Sequence, residues 1–166
     1  MEIKLEKVKI EEREILNNLL EYYQYDFNIF YDDDLNKNGR FEFIKTDKYF
    51  NKLGNQAFFV MVDEKYAGFI LISNDTVYEK NAWCIEEFWI MPKYRKGMFC
   101  FQVLKKLVNK IKGKIEFIVL KENKRWLKTL NYWIEKNFII EKKEDIKKWD
   151  NYDFTLFVID TKNKEN

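Results

Sequence analysis

The sequence predicts a mixed α/β fold in which helices cover the faces of one sheet. First, the chain has 166 residues and a hydrophobic fraction of 46%, which is enough for one core of ordinary size. Second, runs rich in β-branched and aromatic residues are interspersed with segments whose apolar residues recur at three- and four-residue steps. Third, the central part follows the order strand, helix, strand, helix, which is typical of helices packed on a sheet.

The first third of the chain begins with a strand and a helix. Residues 2–9 alternate between apolar and polar, which predicts a half-exposed strand, and residues 11–24 repeat apolar side chains at helical spacing. Residues 25–47 mix aromatic residues with turn-forming Asp, Asn and Gly, and we interpret them as a long ordered loop. A short helix is expected near 46–53, before Gly54.

Three strands are predicted next. Residues 56–62 and 67–73 are apolar runs joined by the short segment DEKY, which suits a hairpin. Residues 82–91 form the third run, and Pro92, the only proline of the chain, follows it directly.

The remaining elements alternate helix and strand and then end in two strands. We predict a helix over 95–111, a strand over 114–120, a helix over 123–137 and strands over 138–143 and 152–160. The fold would therefore consist of one sheet of about seven strands, flanked by about four helices.

We expect one domain over residues 1–166, because no repeat, low-complexity segment or boundary interrupts the chain. The apolar runs are too short to cross a bilayer, and the N-terminus lacks the apolar core of a signal peptide. We therefore expect a soluble, cytoplasmic protein that does not bind membranes. The net charge of +2 comes from 30 basic and 28 acidic residues that are well interspersed, so no nucleic-acid partner is predicted.

The composition also limits the chemistry. The chain has no histidine, which removes the commonest general base and most transition-metal sites. Cys84 and Cys100 have no second cysteine nearby and are expected to be unbridged core thiols. Any base must therefore be a carboxylate, a tyrosine or water, and no metal is expected.

The stretch IEEFWIMPKYRKGMFCFQVLKKL, residues 85–107, contains the strongest functional pattern. A strand that turns directly into a helix exposes the N–H groups of the helix start, which bind phosphate well. Arg95 and Lys96 would add charge, and Gly97 would let a phosphate approach the backbone. The pattern predicts a pyrophosphate site. Alternatively, Pro92 only ends a strand and the basic residues face water.

Residues 86–107 resemble the acetyl-CoA signature of the GCN5-related N-acetyltransferases, the GNAT superfamily. That signature is a strand, a proline, a Tyr-Arg-like pair and then Q/R-x-x-G-x-G/A at the start of a helix. Arg95 takes the Q/R position, whereas Met98 and Cys100 stand where the two glycines are usual. Gly97 lies one residue early.

The resemblance extends over most of the chain, through LLEYYQYDF, FFVMVDEKYAGFILI and IEEFWI. It implies a mostly antiparallel sheet and an N-acetyltransferase that moves an acetyl group from acetyl-CoA to a primary amine of a small molecule or protein. In this superfamily the amine attacks directly, without a metal or a covalent enzyme intermediate. A homodimer is left open.

The resemblance also implies site residues by position. The acetyl and pantetheine groups would lie against the strand before the proline, and the pyrophosphate against the turn. The residues expected to bind acetyl-CoA are Phe88, Trp89, Ile90, Arg95, Lys96, Gly97, Met98, Phe99, Cys100 and Asn123. The tyrosine that usually acts as the general acid is replaced by Trp133, and Tyr132 is its neighbour.

Two residues are candidates for the catalytic roles. Strand alternation places Glu86 and Glu87 on opposite faces, so only one can face a substrate, and we assign Glu87. Tyr132 would protonate the leaving thiolate. Alternatively, both carboxylates are partnered or solvated, and Tyr132, together with Trp126 and Trp133, only packs in the core.

An acidic and aromatic group near the first helix could receive a cationic amine. Tyr23, Tyr25 and Asp26 are assigned to the acceptor, with Tyr22 and the acidic residues 32–34 close by in sequence. The three aspartates could equally be a solvated turn. Two other functions are weighed: a non-catalytic acyl-CoA-binding or regulatory module, and a nucleic-acid module, which the interspersed charges disfavour.

Overall fold

The computed structural model describes residues 2–41, 45–148 and 152–163, with side chains up to residue 161. In this part of the chain, seven strands form one sheet in the order β1-β2-β3-β4-β5-β7-β6. The elements are β1 Ile3–Lys7, α1 Arg13–Phe27, α2 Lys48–Asn51, β2 Gln56–Val62, β3 Lys65–Ser73, β4 Trp83–Ile90, α3 Phe99–Ile111, β5 Lys114–Leu120, α4 Lys124–Asn137, β6 Phe138–Lys148 and β7 Tyr152–Asn163. Single 3₁₀ turns occupy Ile10–Glu12 and Pro92–Tyr94.

The predicted mixed α/β fold, with its seven strands and four helices, is confirmed. Strand β1 pairs antiparallel with β2, and β7 pairs antiparallel with both β5 and β6. Strand β4 pairs parallel with β5, through Trp83 opposite Ile115 and Cys84 opposite Glu116. The sheet is therefore mixed, as the helical connection through α3 requires.

The chain divides into two compact units, and the prediction of one domain stays a prediction. The first unit contains residues 1–71 and 87–96, and the second contains residues 72–86 and 97–166. No helix in the described ranges is long and apolar enough to span a membrane.

The first unit has a core in which α1 packs its apolar face against strands. Leu16, Leu19, Leu20 and Tyr23 of α1 are buried in one cluster that also includes residues of β2, β3 and β4. Tyr23 and Phe27 pack together with ring centroids 4.6 Å apart. Because this face continues through Phe27, the helix runs past residue 24, and the predicted loop begins later than residue 25.

The second unit buries side chains of α3, β5 and β7. The buried residues of α3 recur at helical spacing, and β5 and β7 are buried along most of their length. Helix α4 contacts β5 and β6 and buries Leu130 and Ile134. Strand β6 is largely exposed and pairs with β7 with two register shifts, after Phe138 and Ile140.

Helix α3 begins at Phe99, four residues later than the predicted start at residue 95. Pro92 fits the first position of a 3₁₀ turn, where its missing N–H costs nothing. Gly97 then adopts a left-handed conformation with φ of +59°. Since a right-handed helix cannot pass through such a residue, the helix starts only after it.

Candidate functional site

A tyrosine and a glutamate form a hydrogen bond inside the first unit. The hydroxyl of Tyr23, on α1, donates to the carboxylate of Glu87, on β4. Tyr23 is buried, with 8% of its surface exposed, whereas Glu87 is half-buried. Burial raises the pKa of the Tyr23 phenol well above its ordinary value, and the adjacent charge of Glu87 raises it further. Tyr23 is therefore a protonated donor and Glu87 the accepting carboxylate.

Aromatic packing fixes the ring of Tyr23. Its centroid lies 5.8 Å from that of Phe69 in an edge-on arrangement, and 4.6 Å from that of Phe27. These contacts restrict the ring, so the hydroxyl is directed at Glu87 with little rotational freedom.

Asp26 joins α1 to the end of β4. The Asp26 Oδ2 atom accepts a hydrogen bond from the Trp89 indole Nε1 at 2.7 Å and also contacts the Arg95 guanidinium. The Arg95 Nε donates to the Ile90 carbonyl at 2.5 Å. Tyr22 stacks on Trp89, with centroids 6.5 Å apart and planes 13° apart. A carboxylate oxygen, two aromatic rings and a guanidinium group therefore lie close together at the end of β4.

Gly68 allows the backbone of β4 to approach β3 closely. A Cβ atom at residue 68 would lie 2.0 Å from the Trp89 carbonyl oxygen and 3.0 Å from the Ile90 Cα. Beside it, the Met91 N–H donates to the Ala67 carbonyl at 2.7 Å. Only glycine fits at this position, so Gly68 determines where the backbone of Trp89 and Ile90 lies.

The turn after β4 uses some of its N–H groups internally. The N–H groups of Tyr94, Arg95 and Lys96 donate to the carbonyls of Met91, Pro92 and Tyr94, respectively. In the described part of the chain, no backbone–backbone hydrogen bond of this kind involves the N–H groups of Gly97 and Met98. Helix α3 has Met98 at its N-cap, which provides no side-chain cap. Lys96, in the first unit, is exposed. In the second unit, the first N–H groups of α3 form the positive end of the helix dipole.

The candidates on α4 lie in the second unit. Tyr132 is 60% exposed, and the Lys136 Nζ lies 4.5 Å from its ring centroid. Trp126 and Trp133 both stack on Phe101, with centroids 6.0 and 5.1 Å away. The two half-buried tryptophans thus pack on a buried residue of α3, whereas the exposed Tyr132 does not lie in the core.

Other predicted residues have these locations. Asn123 is the half-buried N-cap of α4, and its side chain makes no capping hydrogen bond. Tyr25 is 73% exposed on α1. Cys84 and Cys100 are half-buried and form no disulfide. In the described residues, no group of three or more Cys, Asp or Glu side chains is placed to hold a metal ion.

Glu86 and Glu87 point to different partners, as strand alternation predicted. Glu86 accepts a hydrogen bond from the Ser73 hydroxyl at 2.9 Å, within the second unit, whereas Glu87 accepts from Tyr23 in the first unit.

Sequence reasoning missed three features of this site. The first is the bond between Tyr23 and Glu87, because Tyr23 was assigned to the acceptor. The second is the contact of Arg95 with Asp26, because the two residues were assigned to different ligands. The third is Gly68, although a glycine inside a strand is itself a signal of close backbone approach.

The sequence model of the Acetyltransferase (GNAT) family matches residues 13–130, which is more than half of the chain. The protein therefore belongs to the GNAT acetyltransferase family, whose general activity is acetyl transfer. No curated protein sequence gives a significant match.

Solved structures show the same fold at low sequence identity. An acetyltransferase from Thermus thermophilus has a TM-score of 0.63 at 10% identity, over 95% of this chain and 96% of that one. The spermidine/spermine N-acetyltransferase SpeG from Vibrio cholerae has a TM-score of 0.61 at 14% identity, over 96% and 95%. The acetyltransferase yncA from Salmonella typhimurium, solved with acetyl-CoA, has a TM-score of 0.60 at 9% identity, over 100% and 98%.

Proposed function

We propose that the protein is an N-acetyltransferase that transfers the acetyl group of acetyl-CoA to a primary amine. The observation that carries this proposal is Glu87, a carboxylate on β4 held by the buried Tyr23 and directly before the three residues assigned to the donor. Family membership supports acetyl transfer in general, and the carboxylate supports an amine as the acceptor, because a protonated amine must lose a proton to react.

The residues at the end of β4 and in the following turn fit acetyl-CoA. Phe88, Trp89 and Ile90 are proposed to contact the acetyl and pantetheine groups, at the backbone position that Gly68 determines. The N–H groups of Gly97 and Met98 and the exposed Lys96 are proposed to hold the pyrophosphate, together with Arg95. These donors are of the kind that phosphate oxygens need.

Acetyl-CoA supplies the thioester whose carbonyl carbon the amine nitrogen attacks, with loss of the CoA thiolate. Glu87 takes the proton of the amine, directly or through one water. The protonated Tyr23 cannot compete for that proton, and it keeps the carboxylate oriented. Much of the acceleration would come from holding amine and thioester in attack geometry.

Tyr132 remains the proposed acid for the thiolate. Its side chain is exposed, so a ligand can reach the hydroxyl without rearrangement of the core, and the ammonium of Lys136 lies over its ring. Its contribution is separable from that of Glu87 by a Tyr132→Phe variant, which removes the proton and keeps the ring.

Asp26 and Tyr25 are proposed to contact the acceptor. Asp26 provides a carboxylate next to the stacked rings of Tyr22 and Trp89, a combination that attracts a cation. Tyr25 is on the same helix and exposed, so it can contact a ligand without rearrangement of the core.

One observation favours a second candidate, a non-catalytic acyl-CoA-binding module. Met98 and Cys100 occupy the positions where the family signature has glycines, and side chains there reduce the space for a phosphate. Such a module would bind acetyl-CoA without turnover.

The test is a calorimetric titration of acetyl-CoA, followed by assay of CoA thiol release with a panel of primary amines. An Arg95→Ala/Lys96→Ala variant is compared with Lys105→Ala/Lys106→Ala, which removes the same charge from exposed positions of α3. We expect binding that only the first variant weakens, and thiol release with at least one amine. Binding without release would favour the module, and no binding would refute both.

A further inference from the structure

We propose that the ion pair between Asp26 and Arg95 is an exchange device that links the two substrates. Binding of acetyl-CoA transfers the Arg95 guanidinium from Asp26 to a phosphate, and the released Asp26 carboxylate then receives a cation of the acceptor. This inference rests on the proposed function, since it needs an anionic donor that binds near Arg95.

The ion pair is placed so that it can open. The side chain of Arg95 is 42% exposed and that of Asp26 is 26% exposed, so solvent and ligands reach both. Exposed pairs of this kind contribute little to stability. A phosphate offers Arg95 a stronger, bidentate partner than one carboxylate oxygen that already accepts another hydrogen bond.

The Nε atom of Arg95 is held by the backbone, whereas its terminal nitrogens can change partner. The Nε atom donates to the Ile90 carbonyl at 2.5 Å, and a terminal nitrogen contacts Asp26. The contact with Ile90 holds the guanidinium at the end of β4, where the turn assigned to the pyrophosphate begins. In the exchange, the terminal nitrogens change partner while the Nε atom keeps its hydrogen bond to the Ile90 carbonyl.

Asp26 keeps its position after the exchange. Its Oδ2 atom still accepts the Trp89 indole N–H at 2.7 Å, and Tyr22 remains stacked on that indole. Once Arg95 has left, the negative charge of this carboxylate is no longer balanced by a guanidinium, and it lies next to the stacked rings of Tyr22 and Trp89. A cation on the acceptor is the complementary ligand.

The exchange predicts positive coupling between donor and acceptor. Each ligand must break the same ion pair, so the ligand that binds first bears that cost and the second binds more tightly. The coupling is reciprocal and should be about 2–5-fold, the range that corresponds to a partly exposed ion pair.

The donor half is tested by titrating acetyl-CoA into the wild type, Asp26→Asn, Arg95→Ala and the double variant. Asparagine keeps an oxygen for Trp89 but removes the negative charge that pairs with Arg95. Glu14→Gln, on the same helix, is the matched control for loss of one negative charge, and its oxygen can still accept from Asn17. We expect Asp26→Asn to tighten binding about 2–5-fold beyond the control. In the Arg95→Ala background, Asp26→Asn should tighten acetyl-CoA binding no more than Glu14→Gln does.

Two results would overturn the donor half: no tightening beyond the control, or equal tightening with and without Arg95. The proton-nitrogen signal of the Trp89 indole, assigned with Trp89→Phe, gives a second readout, since its hydrogen bond to Asp26 should change when acetyl-CoA saturates the protein. An unmoved indole signal contradicts the exchange even where Arg95→Ala binds too weakly to measure. If the wild type does not bind acetyl-CoA, the proposed function is refuted, and the exchange is refuted with it.

The acceptor half is tested with 1,4-diaminobutane as the probe and CoA in place of acetyl-CoA, so that no turnover occurs. We expect the diamine to move the Trp89 indole signal at about 2–5-fold lower concentration in the CoA-saturated protein than without CoA, and to have no effect in Asp26→Asn. An equal shift without CoA, or no shift in either state, would contradict a cation site formed by the exchange.

Discussion

Two glutamates on central strands, Glu87 on β4 and Glu116 on β5, use their carboxylates in different ways. Glu116 is buried and accepts three backbone N–H groups, those of Val77, Tyr78 and Glu79, at 2.8, 3.0 and 2.9 Å. Glu87 is half-buried and accepts a hydrogen bond from the Tyr23 side chain. One carboxylate holds a loop in place, whereas the other is held by a side chain.

The difference separates a structural carboxylate from a candidate catalytic one. Backbone donors cannot turn away, so Glu116 is committed to the three bonds that it accepts. A side-chain donor leaves Glu87 oriented but able to take a proton or a new partner. Burial of a carboxylate alone would make Glu116 the better functional candidate. The side-chain donor of Glu87, in contrast to the backbone donors of Glu116, makes Glu87 the better one.

Replacement of Glu87 by Gln gives the largest expected effect. We expect turnover to fall about 10²–10⁴-fold, because a positioned general base contributes that much. Stability should change by less than about 1 kcal/mol, since Gln still accepts from Tyr23. The measurements are CoA thiol release and urea unfolding. Turnover within about 3-fold of the wild type would remove Glu87 from the mechanism.

Replacement of Glu116 by Ala should act on stability. Three backbone donors lose a charged partner, which should cost about 3 kcal/mol in the free energy of unfolding. Glu116→Gln should cost less than Glu116→Ala, because its amide oxygen can still accept from Tyr78 and Glu79 and only the Val77 N–H faces the N–H₂ group. Urea unfolding measures both variants. A cost below about 1 kcal/mol would contradict the anchoring role.

Gly68→Ala tests whether the position of β4 supports the candidate site. The new methyl would lie 2.0 Å from the Trp89 carbonyl oxygen, so the backbone must shift, and we expect about 2–3 kcal/mol of destabilisation. Acetyl-CoA binding should weaken as well, because Trp89 and Ile90 move. As a control, Ala67→Gly, the neighbouring buried position, adds no clash and should retain binding. Unchanged binding in a folded Gly68→Ala variant would show that this backbone does not contact the donor.

Tyr23→Phe has the smallest expected effect, about 1 kcal/mol at neutral pH, since one hydrogen bond to Glu87 is lost. The pKa of Tyr23 is raised by folding, so its contribution is fully present below the ordinary tyrosine pKa of 10.0 and is lost as pH rises through the higher folded value. The difference in unfolding free energy between wild type and variant should therefore shrink above about pH 10. A difference that does not change with pH would argue against the buried, protonated phenol.

Much of the fold could be predicted because its signals are local. The alternation of β1 and the helical spacing of α1, α3 and α4 are properties of neighbouring residues, and they located each element within a few residues. The start of α3 was predicted too early, because the left-handed conformation of Gly97 cannot be read from the sequence. The end of α1 was misplaced because packing of Phe27 extends the helix.

The candidate site depended on contacts between distant parts of the sequence. Tyr23 and Glu87 are 64 residues apart, and Asp26 and Arg95 are 69 apart. The sequence singled out each of these residues by its chemical type, but periodicity cannot tell which strand a helix faces. The sequence by itself therefore determined the elements, their order and the family. Only the tertiary structure decided which carboxylate is held by a tyrosine and which arginine is held by an aspartate, because hydrogen bonds require atoms within about 3 Å, and folding alone places them there.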